Sequence, residues 1–435
     1  MCNKICCFSI WVVLLIVLVS CTLEEETIDP IQNSDPNPNI LFIIADDMGK
    51  DATSGYAEGT VKPNTPTLSQ LQNEGLVFTK FWVNPSCSPT RAAIITGKYG
   101  IRNGVTEVGA QISTSERILH RYIKEETDNE YATALIGKWH LSGNRTTANP
   151  ESWGMDYFAG LLGGGVQDYY SWELNEDGSS VQRDDYITEG LTDIAIDWIT
   201  DQNQPWFLWL AYNAPHTPFH TPPSAMHAQG ELAPYENGMD PTPYYMAAIE
   251  AMDFQINRLI NNIPSDDLQN TVIIVIGDNG TPNQVVQSPY VDRGAKGRLY
   301  QGGINVPMTI GGKGIERRGL ENSLITATDL YATIAHIAGV NVSEINDSKN
   351  FASLFTSSTP HNRSYQYSDL GSGDEAEWAV SDGIYKLIQK ANGEEELFKL
   401  IADPYEAQNL INGNLDDEAQ VTYEGLIREL DNIRN

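Results

Sequence analysis

Cysteine is nearly missing from this chain once its first stretch is passed. Of five cysteines, Cys2, Cys6, Cys7 and Cys21 crowd into the first 21 residues, and only Cys87 follows. The part after residue 21 can form no internal disulfide, which excludes a stapled secreted scaffold. Positive charge is scarce too: 27 Lys and Arg face 58 Asp and Glu, for a formal net charge of −31. That balance excludes nonspecific nucleic-acid binding, and any anion must be met by a locally basic pocket. No internal repeat is apparent. The 435 residues suffice for a large core and two or three packed units.

Long apolar runs are short of a membrane span as well. Ile10–Val19, preceded by Lys4, is too brief to cross a bilayer comfortably and has the form of a secretion signal. It closes on Leu18-Val19-Ser20-Cys21, similar to a bacterial lipobox. Cys21 is therefore expected to be the lipidated first residue of the mature protein, with residues 1–21 as signal. Lipoprotein-processing machinery and a membrane are then its partners. Leu23-Glu24-Glu25-Glu26 resembles the acidic export tag of some Gram-negative lipoproteins. The expected location is the cell envelope, on the outer membrane, facing outside or periplasm. Residues 22–39 are rich in Pro, Asn and Asp and read as a tether.

What is present is a set of buried strands. Ile40–Ala45, Trp206–Tyr212 and Thr271–Ile276 are unbroken apolar runs, the pattern of strands covered on both faces of a parallel sheet. Pro66–Glu74, after Thr65 and before Gly75, and Tyr244–Ile260 have helical spacing. Alternating strands and helices predict an α/β doubly wound sheet over residues 40–345, with its site beyond the strands' carboxyl ends. From residue 346 the spacing predicts a smaller C-terminal domain of antiparallel strands, including Glu377–Val380 and Tyr385–Gln389, and a terminal helix.

Chemistry-bearing residues follow those strands. Asp46 and Asp47 end the first, and Asp278 and Asn279 end the third, offering hard oxygen ligands for Ca²⁺ or Mg²⁺. Asn213-Ala214-Pro215-His216-Thr217-Pro218 holds His216 in a stiff loop after the second, with His220 close by. Gly137-Lys138-Trp139-His140-Leu141 places Lys138 and His140 two apart, on one side of an extended segment. Cys87-Ser88-Pro89-Thr90-Arg91 opens a short helix ended by Gly97, so Cys87 lies at a positive helix terminus and Arg91 points to the same place. A lone cysteine is ordinarily a small buried hydrophobe. Here its neighbours argue for an anion site.

The Cys-x-Pro-x-Arg pattern with Thr96-Gly97-Lys98 closely resembles the signature of the type I sulfatases, in the alkaline phosphatase-like superfamily. Gly137–Leu141 is similar to that family's histidine segment, with Ser142 in place of its last glycine. Lys296–Pro307 is similar to its lysine segment, with Gln301 and Asn305 where Glu and Arg are usual. Asp329–Thr333 and Asp403–Leu410 extend the resemblance across residues 40–410. It implies an alkaline phosphatase-like mixed sheet, a sulfuric ester hydrolase, and a sulfatase-maturing enzyme that oxidises Cys87 to formylglycine (3-oxoalanine).

By the same resemblance Ca²⁺ is held by Asp46, Asp47, Cys87, Asp278 and Asn279. Arg91, Lys138 and Lys296 neutralise the sulfate oxygens, and Asp278 assists deprotonation of the nucleophile. His216 or Lys296 protonates the leaving oxygen, and His140 takes the last proton. The expected substrate is a sulfated carbohydrate, of the algal ulvan, carrageenan or fucoidan kind. The polar glycine-rich loop Gly163–Trp172 supports this, with Tyr169, Arg145 and His220 as expected substrate contacts. Two rival readings stay open: a phosphonate monoester hydrolase or phosphodiesterase of the same superfamily, and a surface glycan-binding lipoprotein with an inactive site.

Overall fold

Isoleucine, leucine and phenylalanine alternate faces along the first strand, Asn39–Ala45, and both faces are buried. Ile40, Phe42 and Ile44 enter one core with the helices Cys87–Thr96, Leu119–Glu126 and Asp329–Ile337. Leu41, Ile43 and Ala45 enter the other, with the helices Ile187–Thr200 and Thr242–Asn262. A period of two sends successive side chains to opposite faces, so an unbroken apolar run calls for helices on both. The result is three layers, helix on sheet on helix. The computed structural model describes residues 37–143 and 148–435. The signal, Cys21, most of the expected tether and Arg145 lie outside the described residues.

The sheet has ten strands. In spatial order they are Gly319–Glu321, Leu76–Phe78, Met308–Gly312, Thr271–Gly277, Asn39–Ala45, Trp206–Ala211, Ala132–Lys138, Tyr157–Leu161, Trp172–Glu176 and Ser179–Arg183. The five from Thr271–Gly277 to Tyr157–Leu161 run parallel, and antiparallel neighbours flank them on both sides. All five parallel strands therefore end along one edge, where an open α/β sheet carries its site. The expected α/β architecture with a mixed sheet is present, and so is the small C-terminal sheet.

The C-terminal unit holds four antiparallel strands, Gln366–Leu370, Glu377–Ser381, Tyr385–Gln389 and Glu395–Lys399, covered by the helix Asp417–Arg434. The two outer strands went unread because Ser368, Asp369 and Glu395 interrupt their apolar pattern. The expected boundary at 345/346 needs correction. It cuts the hairpin Glu344–Ile345/Ser348–Lys349, and Phe351, Leu354 and Phe355 still pack into the main core. That stretch looks polar by composition, yet its few apolar residues reach under the large sheet.

Strand Gln366–Leu370 ties the small sheet to the loop that precedes Cys87. Ser368 Oγ donates to the Val83 carbonyl at 2.9 Å, and Asn84 Nδ2 donates to Asp369 Oδ1 at 2.8 Å. Two segments matched above turn out to be braces. Asp329 accepts from Arg363 Nε at 2.7 Å, and Glu406 pairs with Lys386, all four buried.

Candidate active site

Each parallel strand delivers polar groups as it ends. Asn39–Ala45 leads into Asp46 and Asp47, Thr271–Gly277 into Asp278 and Asn279, and Trp206–Ala211 into the His216 loop. Ala132–Lys138 ends on Lys138 itself, and Tyr157–Leu161 runs into Gly163-Gly164-Gly165. Backbone bonds lock the first three together: Asp46 N–H donates to the Ala214 carbonyl and Asp278 N–H to the Ala45 carbonyl, each at 3.1 Å.

The helix Cys87–Thr96 points its first turn into this locus, and Gly97 ends it in the left-handed conformation at φ 64°. That is the glycine stop expected from sequence. Cys87 is 2% exposed. Burial, with Asp46, Asp278 and Asp47 against Lys138, pushes its thiol up to about 12. The helix terminus does not win: a thiol so placed stays protonated and is a poor nucleophile.

Three carboxylates meet three cations here. Lys138 Nζ donates to Asp46 Oδ2 at 2.5 Å, and Lys296 Nζ to Asp47 Oδ2 at 2.6 Å. Arg91 forks onto Asp278 Oδ2 through Nε at 3.0 Å and Nη2 at 2.7 Å, and donates from Nη1 to the Lys138 carbonyl at 2.9 Å. Burial opposes the ionised form of Asp46, yet Lys138, His216 and Arg91 hold its carboxyl below the usual range. Asp278 goes the other way, raised by burial and by the Asp46 charge despite Arg91. Adjacent carboxylates cannot ionise independently in a dry site.

The donor atoms of Asp46, Asp47, Cys87 and His216 all lie within 4.8 Å of one another. Asp46 Oδ1 and Asn279 Oδ1 are buried without a hydrogen-bond partner. Orphaned buried oxygens beside carboxylates are what a hard cation satisfies, so this set fits Ca²⁺. Asp278 accepts at Oδ2 from Arg91 and at Oδ1 from the Asp47 N–H at 3.0 Å, as Asp47 accepts from Lys296 and Asn279, and a carboxylate oxygen with one such bond keeps a lone pair for a cation. His216 stands beside the carboxylates, its Nε2 3.7 Å from Asp47 Oδ2.

His140 reaches the site by another route than strand alternation. The strand stops at Lys138, and His140 adopts φ 54°, a left-handed turn that replaces the expected extended segment. Burial, then the charges of Lys138, Arg91, His216 and Lys296, push its imidazole down to about 2, so it is neutral. Gly164 lies against that ring: a Cβ there would fall 2.3 Å from Cε1 and Nε2. A Cβ on Gly165 would stand 3.4 Å from His216 Cε1. Gly164 and Gly165 thus lie against two histidines, and the run of three glycines was the available signal.

Two expected substrate contacts are corrected. Tyr169 is 1% exposed and its hydroxyl donates to the Asn213 and His216 carbonyls at 2.9 and 2.6 Å. It braces the His216 loop from behind because its ring fills the second core. His220 stacks on Tyr169 at 3.6 Å between centroids, with Nδ1 against the Pro218 carbonyl and Nε2 against the Tyr186 hydroxyl. Both of its nitrogens are engaged by protein, and burial lowers it to about 4. Gln301 and Asn305 keep company as amides: Asn305 Nδ2 donates to Gln301 Oε1 at 2.8 Å, and Lys50 Nζ to Asn305 Oδ1 at 2.7 Å.

The sulfatase family model matches residues 38–340. Uncharacterized sulfatase YdeN of Escherichia coli K12 is 30% identical over 70% of this chain and 63% of its own length. Arylsulfatase J of Mus musculus is 28% identical over 71% of this chain and 53% of its own. The chain thus spans less than two thirds of either relative. The crystal structure of Ps i-CgsB in complex with k-i-k-neocarrahexaose shares the fold, with a TM-score of 0.78 at 24% identity over 91% of this chain and 92% of that one.

Proposed function

The chain belongs to the sulfatase family, and from that premise we propose that it hydrolyses sulfate esters, with a sulfated carbohydrate as substrate. The observation that carries the reading is the convergence of Arg91, Lys138 and Lys296 with Asp46, Asp47 and Asp278 around Cys87. An acidic chain has concentrated three cations at one helix terminus, where an anionic group is best held.

Sulfate-ester cleavage needs a nucleophile at sulfur, neutralised oxygens and a proton for the departing alcohol. Formylglycine, made from Cys87 by a maturing enzyme, supplies a nucleophilic hydroxyl when hydrated. Ca²⁺ would be held by Asp46, Asp47, Asp278 and Asn279 with position 87 and His216 adjacent, and would supply Lewis-acid polarisation of a sulfate oxygen. Arg91, Lys138 and Lys296 offset charge on the remaining oxygens, and Asp278 receives a proton from the nucleophile.

His216, partly open to solvent beside Asp47, delivers a proton to the leaving oxygen as the S–O bond breaks. His140 takes up the proton set free when sulfate departs. The carbohydrate preference draws on Ps i-CgsB, solved with k-i-k-neocarrahexaose, and an algal polysaccharide oligosaccharide is the substrate we favour.

We also propose that Cys21 carries the lipid that anchors the protein to the cell envelope. Among the described residues no helix is long and apolar enough to cross a membrane. Radiolabelled palmitate entering wild type and not Cys21→Ala is the expected outcome.

The activity test is release of free sulfate, measured by ion chromatography, from 4-nitrophenyl sulfate and a panel of sulfated oligosaccharides. Turnover by wild type and none by Cys87→Ala is expected. Turnover of a phosphonate ester with no sulfate release would overturn the reading.

A further inference from the structure

A cleft of about 590 Å³ opens beside His140 and the triple glycine. Its far wall is the hairpin Trp172–Glu176/Ser179–Arg183, at the sheet edge. Trp172 and Leu174 are buried in the second core, at 2% and 4% exposure. Alternation therefore turns Glu173 and Asn175 to the opposite face, and the register sets Gln182 across from Glu173. All three line the cleft.

Gln182 Nε2 donates to Ser171 Oγ at 3.1 Å, and among the described residues nothing donates to its Oε1, whereas Asn175 Oδ1 already accepts from Ser180 Oγ at 2.8 Å. Among the described residues nothing donates to the Glu173 carboxylate, and none of the described side chains lining the cleft is a lysine or arginine. Carboxylate and amide oxygens reward O–H donors, and the Glu173 charge repels anions. A sugar hydroxyl is such a donor, whereas a sulfate or carboxylate offers none.

We propose that Glu173 and Gln182 read the hydroxyls of an uncharged sugar ring adjoining the sulfated one, so that the enzyme selects substrates whose neighbouring ring carries no anionic group. The assignment rests on the sulfatase reading above and adds the class of the neighbouring residue. A volume near 590 Å³ suits one further ring in a ligand pocket.

The test compares wild type, Glu173→Ala, Glu173→Gln and Gln182→Ala on three probes: 4-nitrophenyl sulfate, monosulfated disaccharides with a neutral neighbour, and matched disaccharides with a carboxylate or second sulfate there. Both positions are exposed, so the variants fold. Glu173→Ala should lower kcat/KM on the neutral-neighbour disaccharides about tenfold, mainly through KM. Turnover of the aryl sulfate should stay within about twofold. Glu173→Gln should narrow the gap between neutral and anionic neighbours. Equal losses on the aryl sulfate, unchanged disaccharide kinetics, or a wild-type preference for the anionic neighbour would overturn the proposal. Wild type that cleaves the aryl sulfate and none of the disaccharides overturns it too, while sulfate-ester hydrolysis stands. Cleavage of no probe at all removes the functional reading itself.

Discussion

Lys138 Nζ stands 2.5 Å from Asp46 Oδ2 with both side chains fully buried, though 92 residues separate them in sequence. Removing one partner strands the other as a buried charge, at a cost of roughly 3–5 kcal/mol. Asp46→Ala should therefore destabilise the metal-free protein by about that much. The double variant Asp46→Ala/Lys138→Ala should lose less than the two single losses added. Urea unfolding of the four proteins checks this, and strict additivity would show that the pair does not interact.

Metal removal should abolish most turnover, because the orphaned oxygens of Asp46 and Asn279 and the Asp47 carboxylate lose the cation they fit. Asn279→Ala should weaken Ca²⁺ binding in titration calorimetry and reduce activity at limiting calcium. Full rate in protein shown metal-free by elemental analysis would sink the calcium assignment.

The peptide containing position 87 should be lighter than its cysteine form by roughly 18 Da in active protein, the change from thiol to aldehyde. Mass spectrometry of active and inactive fractions decides it. Activity that tracks the unmodified cysteine contradicts the proposed nucleophile.

Gly164→Ala should lower kcat by about tenfold to a hundredfold at a stability cost of only about 1–3 kcal/mol, since its Cβ would fall 2.3 Å from the buried His140 ring and must displace it. The check is a comparison of kcat with thermal midpoint. A large drop in the midpoint instead would mean the glycine serves packing rather than histidine placement.

Burial raises the Asp369 carboxyl from 3.8 to about 6, against its bonds from the Ile101 N–H, the Tyr367 hydroxyl and Asn84. A raised folded-state value means the fold binds the proton more tightly than the unfolded chain. The resulting stabilisation is full below pH 3.8 and is lost as pH rises through about 6. Wild type should thus gain up to about 3 kcal/mol relative to Asp369→Asn between pH 7 and pH 4. Denaturant unfolding of both proteins across that range measures it, and a flat or opposite difference refutes the direction.

Much of the site was legible because its parts are local. Apolar runs of six or seven residues have few stable fates other than a doubly covered strand, and the carboxylates at their ends are read directly behind them. Gly97 stopped the nucleophile helix where the sequence placed it. The outer strand Gln366–Leu370 was hidden because Asp369 and Ser368 face the loop before Cys87 and break the apolar pattern. Tyr169 misled because an aromatic beside three glycines looks like a sugar platform, and only packing sent it behind the His216 loop.

The amino-acid order by itself determined the three buried strands, the short helix that opens on Cys87 and the list of charged groups available to the site. Tertiary structure decided who meets whom. Strand Trp206–Ala211 lies between Asn39–Ala45 and Ala132–Lys138, so Lys138 reaches Asp46 from two strands away. Arg91 captures Asp278 across 187 residues, and His216 comes to stand beside Asp47. These pairings depend on strand order and on a left-handed turn at His140, for which neither periodicity nor composition carries a signal.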